Sequence, residues 1–185
     1  MKLNINTLYR IKNQILSLNY EVCGHIRICD DNLILVETNQ GNIISNGKRG
    51  SCQYDSYGKY IWHSHPNISK GYPSMEDIQK SLKLRNTDVI QVQIILTSWG
   101  IWEIYTGNKK HITPEIQDRL KSFKLNINSW LYSKSLKGKQ LPQDKILNKY
   151  IRILKHDFKD FKLKVKFTSW EKIFNKGYYR SKYIK

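Results

Sequence analysis

The chain has 185 residues, 39% of them hydrophobic and 25% charged, which allows one domain with an ordinary core and excludes a disordered composition. No apolar run reaches the roughly 20 residues of a membrane span, and the first residues lack the apolar core of a signal peptide. The net charge of +17 is divided unequally. Residues 1–108 contribute +2 (eleven Lys/Arg against nine Asp/Glu), and residues 109–185 contribute +15 (twenty-one against six).

The basic second part predicts an anionic partner: a nucleic acid, an acidic protein surface or a membrane face. The abundance of Lys, Asn and Ile is also typical of an AT-rich genome, so a solvated basic face is the alternative interpretation. Three cysteines, Cys23, Cys29 and Cys52, form neither an even disulfide set nor a C-x-x-C pair. They predict a reducing compartment, cytoplasmic or nuclear (in the host cell if the chain is viral), and no thiolate zinc site.

The first half of the chain predicts a helix followed by strands. Apolar residues at helical spacing indicate a helix over residues 7–19 with Thr7 as N-cap. Strands are predicted over residues 20–28, 33–37 and 59–63. Between the last two of these, residues 38–58 are rich in Gly, Ser and Asn and predict a loop.

The second half predicts three helices and three strands. Ser74 is a candidate N-cap for a helix, and Thr113 for another that runs to about Leu125. A third helix is expected over residues 143–158. The strands are predicted over residues 89–97, 101–105 and 161–167, the last of them alternating apolar residues with lysine. Residues 126–139 are expected to be a polar, basic connection.

Metal-binding residue types gather where the third strand ends. His63 and His65 are two apart, and on a strand such residues point to the same face, so that their imidazoles can converge on one ion. Asp77 follows in the first turn of the next helix. Two imidazoles, one carboxylate and a water make a tetrahedral catalytic zinc site, although iron or manganese could also bind. Glu21 is the candidate carboxylate that holds the water, because it opens a strand expected to neighbour that of His63.

These residues resemble the signature of the JAMM (MPN-plus) zinc metalloproteases, which is a Glu, then H-[S/T]-H-P and then S-x-x-D, with about seven residues between the second His and the Ser. Here the pattern is Glu21-Val22-Cys23-Gly24, then His63-Ser64-His65-Pro66 and Ser74-Met75-Glu76-Asp77. The resemblance covers residues 1–125 and implies an α/β, three-layer MPN/JAMM (cytidine-deaminase-like) domain with a mixed central sheet. Residues 126–185 are then a basic α+β C-terminal extension.

The resemblance also implies roles. His63, His65 and Asp77 would bind Zn²⁺, and Glu21 would be general base on the zinc-bound water and proton donor to the leaving amine. Ser74 would stabilise the oxyanion. The implied activity is that of a deubiquitinase-like isopeptidase, which hydrolyses the bond between ubiquitin or a ubiquitin-like protein and a lysine amine, so ubiquitin conjugates are the expected partners.

One departure is that eight residues, not seven, separate His65 from Ser74, and the extra residue falls within residues 67–72. Two alternatives stay open. One is a nucleic-acid-associated, RadC-like module of the same fold, which would bind DNA or RNA through the basic C-terminal part. The other is a small peptidase or amine-releasing hydrolase that uses the same zinc.

Overall fold

The computed structural model describes residues 1–18, 20–37, 60–66, 70–83, 92–106, 114–135, 141–161 and 163–184. These residues form an α/β fold in which helices cover both faces of a mixed, curled sheet. The expectation of an α/β fold with a mixed central sheet is therefore confirmed. The loop predicted over residues 38–58 and part of the segment between His65 and Ser74 (residues 67–69) lie outside the described residues.

Eight strands make up the sheet of the described residues. They are β1 (Lys2–Leu3), β2 (Cys23–Cys29), β3 (Asn32–Glu37), β4 (Tyr60–Ser64), β5 (Val92–Thr97), β6 (Gly100–Thr106), β7 (Leu163–Ser169) and β8 (Tyr179–Arg180). Their order is β7-β6-β5-β4-β2-β3-β1-β8. The pairs β4–β5 and β1–β3 are parallel, and the other neighbours are antiparallel. The sheet therefore includes two strands from the basic part of the chain.

The described residues also form five α-helices: α1 (Ile5–Arg10), α2 (Met75–Lys83), α3 (Pro114–Ser135), α4 (Gln143–Asp157) and α5 (Trp170–Lys176). The N-cap of α1 is Asn4, whose side chain accepts the Thr7 N–H, so the prediction of Thr7 as the cap is wrong. A π-helical turn continues α1 through Ile15.

The helix α3 ends ten residues later than predicted, because Ile127 and Leu131 continue the apolar face of Leu120 and Phe123 at helical spacing. The prediction of an irregular connection from residue 126 is therefore wrong up to Ser135. The domain boundary drawn between residues 125 and 126 falls inside this helix.

Two apolar clusters lie on opposite faces of the sheet. On one face, α1 and α5 pack against side chains that include Trp62, Ile94 and Ile101. On the other face, α2, α3 and α4 pack against side chains that include Ile95 and Trp102. Alternate strand residues enter opposite clusters, as the pleat requires. Because Trp62 faces the first cluster, its neighbour His63 faces α2.

A buried carboxylate joins the C-terminal tail to the sheet. Glu103 on β6 is fully buried, and its oxygens accept hydrogen bonds from the Tyr179 hydroxyl (3.0 Å), the Ser181 hydroxyl and the backbone N–H groups of Lys182 and Tyr183 (both 2.9 Å). From β7, the Lys166 amine donates to the Arg180 carbonyl on β8 (2.6 Å). These bonds draw the two edges of the curled sheet together. Burial, followed by the charge of Glu103, raises the pKa of Tyr179 well above 10.0.

The cysteines depart from the simple expectation. Cys23 on β2 is disulfide-bonded, whereas Cys29 has a free, exposed thiol. The reducing compartment inferred from the cysteine pattern stays a prediction. Within the described segments, no helix is both long enough and apolar enough to cross a bilayer.

Candidate metal centre

His63 and His65 lie at the carboxyl end of β4, in the middle of the sheet. This strand pairs with β2 through the register Cys23–His63 and with β5 through His63–Ile95. His65 follows the strand, and its backbone N–H donates to the Leu96 carbonyl (2.7 Å). Hydrogen bonds on both sides therefore fix the backbone that carries the two imidazoles. The two side chains lie on the same face, as the alternation rule predicts for residues two apart.

Asp77 is held in place by a reciprocal cap at the start of α2. The Ser74 hydroxyl oxygen accepts the Asp77 N–H (3.1 Å), and the Asp77 carboxylate accepts the Ser74 N–H (2.6 Å). This pair of bonds satisfies N–H groups that the first helical turn leaves without partners. The prediction of Ser74 as the N-cap is confirmed. One carboxylate oxygen is thus oriented by backbone while both oxygens face the histidines.

The three side chains converge at one point. Asp77 Oδ1 is 3.0 Å from His63 Nε2, Asp77 Oδ2 is 3.0 Å from His65 Nε2, and the two Nε2 atoms are 3.1 Å apart. All three residues are buried, and of the described residues they alone form such a group of at least three His, Cys, Asp or Glu. Two imidazole nitrogens and one carboxylate oxygen are a donor set that suits zinc and leaves a coordination position for water or substrate.

The electrostatics show how strongly the group attracts positive charge. Burial opposes the charged form of His65, but its hydrogen bond to Asp77 and the charges of Asp77 and Glu21 outweigh burial and raise the pKa of His65 above 6.5. Burial likewise opposes ionisation of Asp77, yet the two histidines outweigh it and hold its pKa well below 3.8. Protons and a metal ion therefore compete for these donors.

Gln93 and Ser81 form the outer shell on the His63 side, and neither was identified from the sequence. Gln93 Nε2 lies 3.1 Å from His63 Nδ1, and the Ser81 hydroxyl donates to Gln93 Oε1. Ligation through Nε2 would put the imidazole proton on Nδ1, which then needs an acceptor. If the Gln93 amide is rotated by 180°, its oxygen can accept from the His63 Nδ1–H and its NH₂ group can donate to the Ser81 hydroxyl. The residues around His63 therefore fit a metal bound to Nε2.

Ser64, between the two histidines, positions Glu21. Its backbone N–H donates to the Val22 carbonyl (2.8 Å), and its hydroxyl oxygen accepts the Val22 N–H (2.9 Å). The Glu21 carboxylate consequently lies beside the metal-binding group, with Oε1 3.8 Å from His65 Nε2. The side chain of Glu21 is 28% exposed. It stands two residues before β2, in the neighbourhood that the sequence predicted.

Gly24 lets the strands around this position come close together. A Cβ on Gly24 would overlap the carbonyl oxygen of Val36 and lie 3.0 Å from the Trp62 indole nitrogen. The Trp62 Nε1–H donates to that same carbonyl (3.2 Å). Glycine at this position therefore allows β3 and the Trp62 indole to pack closely against β2.

Three hydrogen bonds hold the described part of the segment before Ser74 in place. This is the segment that carries one residue more than the family pattern. The Gly71 carbonyl accepts from Thr97 Oγ1 (3.0 Å) and from Trp102 Nε1 (2.9 Å). The Pro73 carbonyl accepts from the Tyr150 hydroxyl of α4 (2.8 Å). Residues 71–74 thus reach the cap of α2 in a fixed position.

A groove of about 430 Å³ opens beside the centre. Glu21, His65 and Ser74 line it together with Phe123 and Ile127 of α3. This volume is within the roughly 300–1,000 Å³ of ligand-binding clefts. The structure therefore brings together all five residues singled out from the sequence, and it adds the helix that forms the opposite wall.

No protein-family model matches the chain, and the search of curated proteins also found no match. The relation to the JAMM metalloproteases accordingly stays a resemblance carried by the residues of this centre.

Proposed function

We propose that this chain is a zinc-dependent isopeptidase of the JAMM type, in which His63, His65 and Asp77 bind the metal and Glu21 is the general base. The observation that carries the proposal is the position of Glu21. Its carboxylate lies 3.8 Å from His65 Nε2, beside the three ligands, and it is partly exposed towards the groove. A carboxylate beside the three ligands and open to the groove is placed as a general base for a metal-bound water needs to be.

When bound, zinc would act as a Lewis acid that activates water and polarises a carbonyl group. Glu21 would accept the proton of the attacking water and then deliver it to the leaving amine. The bonds from Ser64 to Val22 support this role, because they hold the backbone next to Glu21 at a fixed distance from the histidines. Mobility of the base would otherwise lower the rate.

Ser74 has a second proposed role besides the cap. In the cap its oxygen accepts the Asp77 N–H, so its own hydroxyl hydrogen can point into the groove that Ser74 lines. A hydroxyl donor at this edge would stabilise the negative charge that develops on the carbonyl oxygen during attack.

The MPN-type fold and the substrate rest on the resemblance. The order of elements from α1 to α3, with the ligands at the end of β4 and the start of α2, agrees with the order expected for an MPN domain. The groove could hold a few residues of an extended polypeptide, such as the C-terminal tail of ubiquitin or a ubiquitin-like protein. Hydrolysis of the bond to a lysine amine is the reaction that the family performs.

The test is cleavage of di-ubiquitin chains of several linkages by the zinc-loaded protein, by Glu21→Gln and by Glu171→Gln. Glu171 is an exposed glutamate on α5 and serves as a charge-matched control. We expect cleavage that a chelator abolishes and added zinc restores. Glu21→Gln should retain zinc but lose activity about 10²–10⁴-fold, the usual contribution of a general base.

Two results would contradict the proposal. One is turnover by Glu21→Gln at the rate of the Glu171→Gln control, which would exclude Glu21 as the base. The other is a zinc-loaded wild-type protein that cuts none of the linkages, which would exclude ubiquitin conjugates as the substrate.

A further inference from the structure

The densest positive charge of the described residues lies at the end of the chain. Residues 163–184 contain six Lys/Arg and one Asp/Glu, whereas α4 contains four against two. Five of the six basic residues surround Lys166, which bridges β7 and β8. We call this group the basic seam: Lys164, Lys172, Lys176, Arg180 and Lys182, all of them exposed.

Contacts with aromatic rings tie the basic seam to the fold. The Lys164 amine lies 5.7 Å from the centre of the Tyr105 ring, which stacks on Tyr183 at 5.3 Å. The Lys182 amine lies 5.7 Å from the Tyr183 ring. Two of the five cations of the seam, Lys164 and Lys182, therefore lie beside tyrosine rings that stack on each other.

The positive charges of the seam act on Lys166, the half-buried lysine at its centre. Lys166 has its pKa lowered, first by burial and then by the positive charges of Lys182, Lys172 and Lys176, although Glu103 opposes the shift. Crowded like charges destabilise a folded protein, and an anionic ligand removes that repulsion.

The seam lies on the opposite face of the sheet from the metal centre. Val165 and Phe167 of β7 pack with α2, α3 and α4, so the alternate residues Lys164 and Lys166 face the other side, where α1 and α5 lie. His63 faces α2. A ligand of the seam would therefore not compete with a substrate in the groove.

We propose that the basic seam binds single-stranded nucleic acid without reading its sequence. Four of its five cations are lysines, which are compact charges suited to phosphates but not to the bidentate reading of bases. Tyr178, which is 38% exposed, and Tyr183 offer rings on which bases can stack. This proposal does not depend on the hydrolytic function.

The experiment measures the anisotropy of fluorescent oligothymidylate and oligouridylate of about 20 nucleotides, longer than the roughly 4–16 nucleotides that one small module covers. Two triple variants are compared with the wild type at several salt concentrations. The seam variant is Lys172→Gln, Lys176→Gln and Lys182→Gln. The control, with the same charge removed from α4, is Lys145→Gln, Arg152→Gln and Lys155→Gln.

With five phosphates contacted, the affinity should fall with salt at a logarithmic slope of about −3.5. The seam variant should have a slope shallower by about 2 and an affinity on the order of 100-fold lower at about 0.1 M salt. The α4 control should lose far less. Both variants should keep their zinc content, and neither should unfold at a lower temperature than the wild type. Binding of only one of the two oligonucleotides would support the proposal and would show whether the ligand is DNA or RNA.

Three outcomes would overturn the inference. If neither oligonucleotide binds the wild type at about 50 mM salt, the seam has no nucleic-acid function. Equal losses in the two triple variants would show that net charge, and not this surface, attracts the ligand. If polyglutamate of equal length binds as tightly as the oligonucleotides, the seam recognises an acidic protein segment instead.

Discussion

Tyr150 connects the basic part of the chain to the metal centre, and its replacement by Phe isolates that connection. The hydroxyl of Tyr150 donates to the buried Pro73 carbonyl at 2.8 Å, and the side chain of Tyr150 is itself buried. The ring contacts Tyr72, Trp102 and Phe123, with ring centres 4.9, 5.5 and 5.4 Å apart. Phe keeps these contacts, so no cavity forms and only the hydrogen bond is lost.

A buried carbonyl that loses its donor costs about 1–3 kcal/mol. Tyr150→Phe should therefore lower the free energy of unfolding by about 2 kcal/mol, or the unfolding temperature by roughly 4–8 °C for a chain of this size. The assay is urea unfolding of the metal-free protein, with an unchanged dependence on urea concentration. The control is Tyr132→Phe on α3, which is 66% exposed and should change stability by less than about 0.5 kcal/mol.

The same variant should bind zinc about tenfold more weakly, the lower end of the effect of outer-shell changes. The reason is that Pro73 adjoins Ser74, whose N–H orients the Asp77 carboxylate at 2.6 Å. Refutation would come from a Tyr150→Phe protein as stable as Tyr132→Phe, since the hydrogen bond would then contribute nothing. Unchanged zinc affinity together with lower stability would restrict Tyr150 to a purely structural role.

Three further predictions concern the fold. Glu103→Gln should destabilise the protein by about 3–5 kcal/mol, because buried donors of the tail lose a charged acceptor, while Glu171→Gln should have little effect in the same unfolding assay. The folded pKa values of Tyr150 and Tyr179 are raised well above 10.0, so above pH 10 only the unfolded chain releases these two protons. The free energy of unfolding should therefore fall above pH 10 by about 1.4 kcal/mol per pH unit for each of the two tyrosines. The measurement is the free energy of unfolding as a function of pH, and a Tyr179→Phe protein with the same slope above pH 10 as the wild type would contradict this prediction. Gly24→Ala should lower the free energy of unfolding by at least about 1–3 kcal/mol, since the added Cβ would overlap a carbonyl of β3. A Gly24→Ala protein as stable in urea as the wild type would refute that overlap.

The candidate site was predictable because its signals are local. Two histidines at a strand end share a face through alternation, and a serine three residues before an aspartate forms a helix cap. The relation of Glu21 to His65 joins residues far apart in the chain, and it was predicted from the family pattern and from the expected neighbouring strands. The structure places these two side chains 3.8 Å apart.

The outer shell was not predictable, because no local pattern reports it. Gln93 is one polar residue within an apolar strand, and its contact with His63 depends on the parallel pairing of β4 and β5. Tyr150 meets Pro73 across 77 positions, and Tyr179 meets Glu103 across 76. Such pairs are fixed by tertiary packing, which a single sequence does not show.

The role of the C-terminal part was missed for the same reason. Its lysine-rich composition predicted an extension with a basic surface, and the alternating segment was correctly identified as a strand that now appears as β7. The short helix α5 and the strand β8 were not predicted from the mixed aromatic and basic tail. Their position depends on Glu103, whose buried side chain has no signature in the sequence of β6.

The central claim is that His63, His65 and Asp77 form one metal centre, and metal content tests it most directly. The wild type, Glu21→Gln and Asp77→Asn are saturated with zinc, freed of excess metal by gel filtration and analysed by mass spectrometry for zinc per chain. We predict one zinc per chain in the wild type and in Glu21→Gln, and none in Asp77→Asn, because two imidazoles without the carboxylate leave the ion too few ligands. A wild type without zinc, or an Asp77→Asn protein that retains a full equivalent, would contradict the account.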